Sequence, residues 1–390
     1  MTKITRYCRN SVAILLAVLS GFFATGCKHG GADAGIVKKL DEAGKSKGSV
    51  FPDREDYYGV FVLDDNNAWV VGNRGVVLHI SDKGEKVMFL PSWVEKAIYN
   101  VDFSDPQNGI AVGQDGLIIK TSDGGQTWRK IEFVLPLEDW RPRAPHIFSL
   151  SRGADPQKIW AAGPGGTILR SQDGGETWED LSLHRDVTLN GIAFVNDTQG
   201  WVVGEFGAIL HTADGGQTWQ EQQNVLNLPK YTRPDLSEED AIKQRVPQLY
   251  LEDLFLISVA FRNEREGYVT GESGILLTTT DGGETWTNVS SGSFNILLSV
   301  VPARAHHAAV ATGVLGTMAV FDGEKWNNLP EIREHVLTWL RDVSFAKDSG
   351  FGLACGGKGS ILISQDGGRN WKVLDKEKLT KAAEMPGNAV

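Results

Sequence analysis

One eight-residue turn constrains this chain more than anything else in it. Thr121-Ser122-Asp123-Gly124-Gly125-Gln126-Thr127-Trp128 recurs at 171–178, 212–219, 279–286 and 364–371, the last with Asn370 in the threonine place. Each copy follows a Gly-x-x-Gly hinge set between two apolar runs. The hinges are Gly72/Gly75, Gly113/Gly116, Gly163/Gly166, Gly204/Gly207, Gly271/Gly274, Gly313/Gly316 and Gly356/Gly359, seven in all. The first and sixth units keep the hinge but have eroded the turn, to Ser81-Asp82-Lys83-Gly84 and to Phe321-Asp322-Gly323-Glu324-Lys325-Trp326. Repetition on this scale decides the architecture before any motif search does.

Each unit parses into four short strands. In the fourth, Leu189–Phe194 alternates apolar residues at period two. Residues 200–203 lead into the Gly204 hinge, 208–212 leave it, and 218–221 follow the Asp214-Gly215-Gly216 turn. A repeated four-stranded unit of this length is a propeller blade, and a blade cannot bury both faces alone. The chain is therefore expected to be all-β, a seven-bladed β-propeller of four-stranded antiparallel blades over residues 55–375, closed by whole blades rather than by a strand shared between the ends. Gly 45 and Trp 12 suit many tight turns and one large aromatic plate per unit. The tail, 376–390, is charged and reads as frayed.

The first residues carry different information. Lys3, Arg6 and Arg9 precede an apolar stretch from Ser11 to Ala24, too short to span a bilayer comfortably. It ends in Ala24-Thr25-Gly26-Cys27, which resembles a bacterial lipobox with Ala24 in the usual leucine place. Residues 1–26 are expected to be a lipoprotein signal peptide, with Cys27 as the lipid-attachment site. Lys28, where an aspartate would signal inner-membrane retention, leans towards an outer-membrane anchor facing the periplasm. Residues 27–54 read as a tether. The net charge of -10 argues against a nucleic-acid partner.

The repeated turn resembles the Asp-box, or bacterial neuraminidase repeat. Its chemistry is local: the carboxylate accepts from backbone amides of its own turn, and the tryptophan packs between blades. Asp123, Trp128, Asp173, Trp178, Asp214, Trp219, Asp281, Trp286, Asp366 and Trp371 are assigned structural roles. Sialidase chemistry needs an arginine triad, a Tyr–Glu pair and a Phe/Tyr-Arg-Ile-Pro segment, and no such segment occurs. The chain is read as non-catalytic, the alternative being an Asp-box glycoside hydrolase or glycan-binding propeller. No cofactor or metal is expected. His306-His307 reads as solvated loop, Cys355 as a small core residue, and Gly113-x-x-Gly116 lacks the Lys-Ser/Thr of a phosphate loop.

In a propeller the loops between blades share a face with the hinges, and the Asp-box turns lie opposite. Two long insertions, about 132–146 and 222–253, are of the first kind. They carry Trp140, Arg141 and Arg143, and Tyr231 and Arg233, with a short helix expected after Pro234. Shorter loops bring Trp93, His184, Arg185, Arg333, His335, Trp339 and Arg341. Loops of unequal length on one face, rich in Trp, Tyr and Arg, mark a candidate protein-binding surface.

Seven hinge-and-Asp-box units behind a lipoprotein signal resemble the photosystem II stability/assembly factor family and its non-photosynthetic relatives. The resemblance spans roughly residues 55–375. It implies a non-catalytic protein, monomeric on its own, that binds a subunit of a membrane-protein complex, photosystem-like or an envelope transporter. The arginine cluster proposed as the family's contact has no adjacent arginine pair here; His184-Arg185 and Arg341 stand nearest to it.

Overall fold

The computed structural model describes residues 55–135, 144–228, 237–243 and 250–384. Cys27, Trp140, Arg141, Arg143, Tyr231 and Arg233 lie outside the described residues.

Seven antiparallel sheets follow one another in chain order, each with its strands in sequence order. In the fourth blade the strands are Leu189–Phe194, Gly200–Gly204, Ile209–Thr212 and Gln220–Glu221. The outermost strand starts two residues later than expected because Thr218 is held in the Asp-box turn by Asp214. Blade five carries one addition. Val225–Leu226, the start of the second insertion, pairs in parallel with its outer strand Trp286–Asn288. Further along, the helix expected in this insertion runs from Glu238 to Lys243. Ser237 caps it, its hydroxyl accepting the Asp240 amide at 3.1 Å.

The ring closes by whole blades. Tyr57–Asp64 is the innermost strand of the first blade and Leu340–Phe345 that of the seventh. Across this seam Val60 N donates to Asp342 Oδ2 and Val62 N to Ser344 Oγ, both at 3.0 Å. The third and fourth blades meet in the same way, with Phe194 N donating to Ser151 Oγ at 2.8 Å.

The frayed tail is corrected. Lys376–Glu384 is a helix. Leu379 and Ala382, three residues apart on one face, are fully buried with Val87 and Phe89 of the first blade and Leu374 of the seventh. Lys378 pairs with Glu85 at 2.7 Å. The helix thus fastens the end of the last blade to the first.

Between blades the core is aromatic. Trp69, on the second strand of blade one, stacks on Phe103 of blade two with centroids 3.5 Å apart, and Phe103 meets the Asp-box Trp128 edge-on at 6.1 Å. Trp160–Phe194–Trp219 and Trp201–Phe261–Trp286 repeat the arrangement. At the seam between the sixth and seventh blades His307 takes the first position, stacked on Phe345 at 4.4 Å, with Trp371 beyond. His307 is therefore not a solvated loop residue. It is buried, and burial holds its pKa below the ordinary histidine range. Only His306 is exposed. Cys355 is fully buried in the core.

Candidate functional site

The Asp-box turns form one face. In the third blade Asp173 Oδ1 accepts the Thr177 amide at 2.9 Å and Oδ2 accepts the Thr177 hydroxyl at 2.6 Å. The Ser171 hydroxyl donates to Oδ1 at 2.8 Å and accepts the Gly175 amide at 2.7 Å. Gly174 and Gly175 sit at φ of 72° and 88°, the left-handed region that disfavours any Cβ. The turn is further held by its neighbour: Trp69, Trp160 and Trp201 donate their Nε1 to the carbonyls of Gly124, Gly215 and Gly282 in the following blades. The carboxylate and hydroxyl groups of the turn are thus engaged in holding it, while the Nε1 of Trp128, Trp178 and Trp219 is buried without a hydrogen-bond partner.

The hinges form the other face. Gly113 lies so close to the innermost strand that a Cβ there would come within 2.0 Å of Ala97 O. The third hinge residue is left-handed in each blade: Arg74, Asp115, Gly165, Phe206, Ser273, Leu315 and Lys358. The six that carry side chains are all exposed. Such backbone is costly for a non-glycine residue, and it turns these side chains outward around the ring. Inter-blade loops reach the same face, since the amides of Gly116, Gly207 and Gly316 donate to Pro145 O, Leu254 O and Thr338 O. The chain also enters the propeller there, with Gly359 N donating to Glu55 O at 2.7 Å.

Most of the exposed large apolar side chains lie on this side. Ten large apolar side chains are exposed among the described residues. Seven lie in hinges or inter-blade loops: Trp93, Val134, Phe206, Tyr250, Phe294, Leu315 and Leu337. The other three, Met88, Leu226 and Val373, lie on strands at the rim.

At the axis the hinge face closes over. A register shift in the innermost strand of six blades turns Tyr58, Tyr99, Asn190, Ile257, Leu298 and Arg341 into the channel. Phe148 of the third blade joins them around a cavity of about 60 Å³. Trp339 stacks on Tyr58 at 5.7 Å, nearly parallel. Burial is the main cause that raises the pKa of Tyr58 and takes that of Tyr99 up to about 12.

The residues singled out from the sequence are dispersed. Arg185 is exposed and paired with Glu221 at 2.7 Å, beside a cavity of about 590 Å³ that Glu205, Phe206 and Glu252 also line. Arg333 is exposed and reaches Thr317 Oγ1 at 3.3 Å. Trp339 is half-buried. Arg341 does not join the outer face: it is 9% exposed and lies inside the channel. The exposed Phe206, Phe294, Leu315 and Leu337 escaped notice in the sequence. The hinge position of Phe206 and Leu315 is the one signal that pointed to them.

Comparison with known families decides what this ring is. The family described as "Photosynthesis system II assembly factor YCF48" matches residues 89–186 and 176–293, more than half of the chain. The chain belongs to the YCF48 assembly-factor family. Two solved YCF48 structures share its fold. One, a YCF48 bound to a D1 peptide, is 20% identical, with TM-score 0.53, over 76% of this chain and 84% of that one. YCF48 from Cyanidioschyzon merolae is 21% identical, with TM-score 0.51, over 73% and 86%. The fold is also that of the GH74 xyloglucanase from Xanthomonas campestris, at 12% identity and TM-score 0.62, over 84% of this chain and 55% of the enzyme. Comparison with curated proteins gives no match.

Proposed function

We propose that this protein is a non-catalytic assembly or stability factor that holds a subunit of a membrane-protein complex against its hinge face. The observation that carries the reading is the segregation of exposed apolar side chains onto that face, in a chain of the YCF48 family. Phe294, Leu315 and Leu337 come from the fifth-to-sixth loop, the sixth hinge and the sixth-to-seventh loop, and so follow one another around the ring. Exposed apolar residues gathered on one side mark an interaction surface. The solved YCF48 with a D1 peptide supports a polypeptide as the ligand. Trp140, Arg141, Arg143, Tyr231 and Arg233 belong to the two inter-blade insertions, and we assign them to the contact together with Arg185 and Arg333.

The glycosidase alternative finds less support. The channel mouth offers about 60 Å³, too little for a sugar ring. Likeness to the xyloglucanase is one of fold, which does not transfer chemistry. The complex served is photosystem-like or an envelope transporter. The protein sits in the envelope through a lipid on Cys27, on the periplasmic side of the outer membrane.

A photocrosslinking residue placed at Leu315 or Leu337 in intact cells is expected to trap an integral membrane subunit, identified by mass spectrometry. The same probe at Glu176, on the Asp-box face, is expected to trap none. Equal labelling from both faces would overturn the assignment. The triple variant Phe294→Asp/Leu315→Asp/Leu337→Asp is expected to lose capture at least tenfold with an unchanged melting temperature, since these side chains support no core.

A further inference from the structure

The channel mouth carries a feature that the hinge-face contact does not use. Its ring divides into two arcs. Blades three, five and six supply Phe148, Ile257 and Leu298, and blade four supplies Asn190, whose amide nitrogen is taken by Leu256 O at 2.8 Å. Blades seven, one and two, consecutive around the ring, supply Arg341, Tyr58 and Tyr99. All three are hydrogen-bond donors, and none makes a side-chain hydrogen bond or an ion pair with any described residue. Arg341 Nε is buried without a partner although the side chain is more than nine-tenths buried. A buried guanidinium left in this state is costly.

The neighbouring carboxylates accept no hydrogen bond from it, although Asp342 lines the same cavity and its charge acts on the guanidinium. Asp342 is engaged elsewhere, accepting from Val60 N at 3.0 Å, Ser299 Oγ at 2.9 Å and its neighbour Val343 N. Glu55 is paired with Arg74. Asp56 accepts Lys358 N at 3.0 Å, and Asp115 faces Lys96 and His146. The guanidinium lines the same cavity as both tyrosines. The donors are held in place by an aromatic frame: Tyr58 lies flat against Trp339, and Tyr99 meets Tyr58 edge-on at 5.6 Å and His146 edge-on at 5.9 Å. Two tyrosine donors held in an aromatic frame and a guanidinium lining the same cavity suit an anion.

We propose that the channel mouth binds one carboxylate group, received by the Arg341 guanidinium and the Tyr58 and Tyr99 hydroxyls. A space of about 60 Å³ accommodates a group of that size and excludes a sugar or a nucleotide. The planar fork of an arginine matches a carboxylate in two parallel bonds, and the tyrosines add donors that no cation competes for. The carboxylate arrives either as a small free acid or as the chain terminus of a polypeptide on the hinge face. The site stands whether or not the apolar hinge face is the partner surface.

Titration of the full chain with sodium acetate at constant ionic strength, followed by calorimetry and by Trp339 fluorescence, tests the proposal. A parallel titration uses acetyl-Gly-Gly as the free acid and as its amide. Saturable single-site binding of acetate identifies a free acid. Binding of the peptide acid but neither its amide nor acetate identifies a chain terminus. Tyr58→Phe/Tyr99→Phe, which keeps both rings, is expected to weaken either ligand at least about tenfold with an unchanged denaturation midpoint. Arg341→Met is expected to abolish binding. If neither acid saturates the wild type, or if the tyrosine double variant binds as tightly as the wild type, the site does not exist.

Discussion

At the scale of the residue, the Asp-box carboxylate governs acid stability. Burial pushes Asp173 upward, but the Thr177 hydroxyl and amide, the Ser171 hydroxyl and the Glu176 amide outweigh it and hold the pKa at about 2. Asp123, Asp214, Asp281 and Asp366 are lowered by the same bonds. A depressed folded pKa gives stability that is complete above the unfolded value, about 4, and lost as pH falls through about 2. Asp102 and Asp342, raised by burial, weigh the other way, so a single substitution isolates the turn. Asp173→Asn is expected to cost roughly 1 kcal/mol at neutral pH and to flatten the fall in urea midpoint between about pH 4 and pH 2. An unaltered slope would deny the carboxylate this role. These residues were legible in the sequence because every bond of the turn is local. Trp69, Trp160 and Trp201 were not, because their partners are Gly124, Gly215 and Gly282 in the next blade. His307 was misread for the same reason: its ring is defined by Phe345 across the seam.

At the scale of the element, seams rather than blades carry the energy. Trp201 is fully buried, stacks on Phe261 at 3.5 Å and donates to Gly282 O at 3.0 Å. Trp201→Ala is expected to cost about 3–5 kcal/mol, read from equilibrium denaturation. The last seam has a second fastener in the C-terminal helix. Leu379→Ala is expected to cost about 2–5 kcal/mol, while Thr380→Ala, on the exposed side of the same helix, is expected to change little. Equal effects would mean that the helix contributes through its backbone and not through its buried face. The four-strand parse and whole-blade closure were legible because hinge and turn recur on one period. The helix was not, because Leu379 and Ala382 are two apolar positions among charges, and only Val87 and Phe89 of a distant blade give them something to cover. The channel mouth was equally hidden. Arg341 reads as a loop-side cation until the register shift between Leu340 and Asp342 turns it to the axis.

At the scale of the whole molecule, the two faces differ in what they expose, and the described chain enters the propeller on the hinge face. Glu55 accepts the Gly359 amide beside the seventh hinge, so the described chain begins on the face that displays Phe294, Leu315 and Leu337. We propose that a lipid at Cys27 anchors the protein in the envelope. One acyl chain binds a membrane only marginally, and stable anchoring takes more than one. Labelled palmitate is accordingly expected to enter the wild-type protein, and Cys27→Ser is expected to lose the label and leave the membrane fraction. The released variant is expected to keep the wild-type melting temperature and to bind the isolated partner unchanged, because the residues described between 55 and 384 close the ring among themselves. Its capture of the partner in cells is expected to fall, since anchoring supplies effective concentration rather than contacts. A Cys27→Ser protein that stays membrane-bound would reject the anchor, and one that also fails to bind the isolated partner would place residues before Glu55 in the binding face itself.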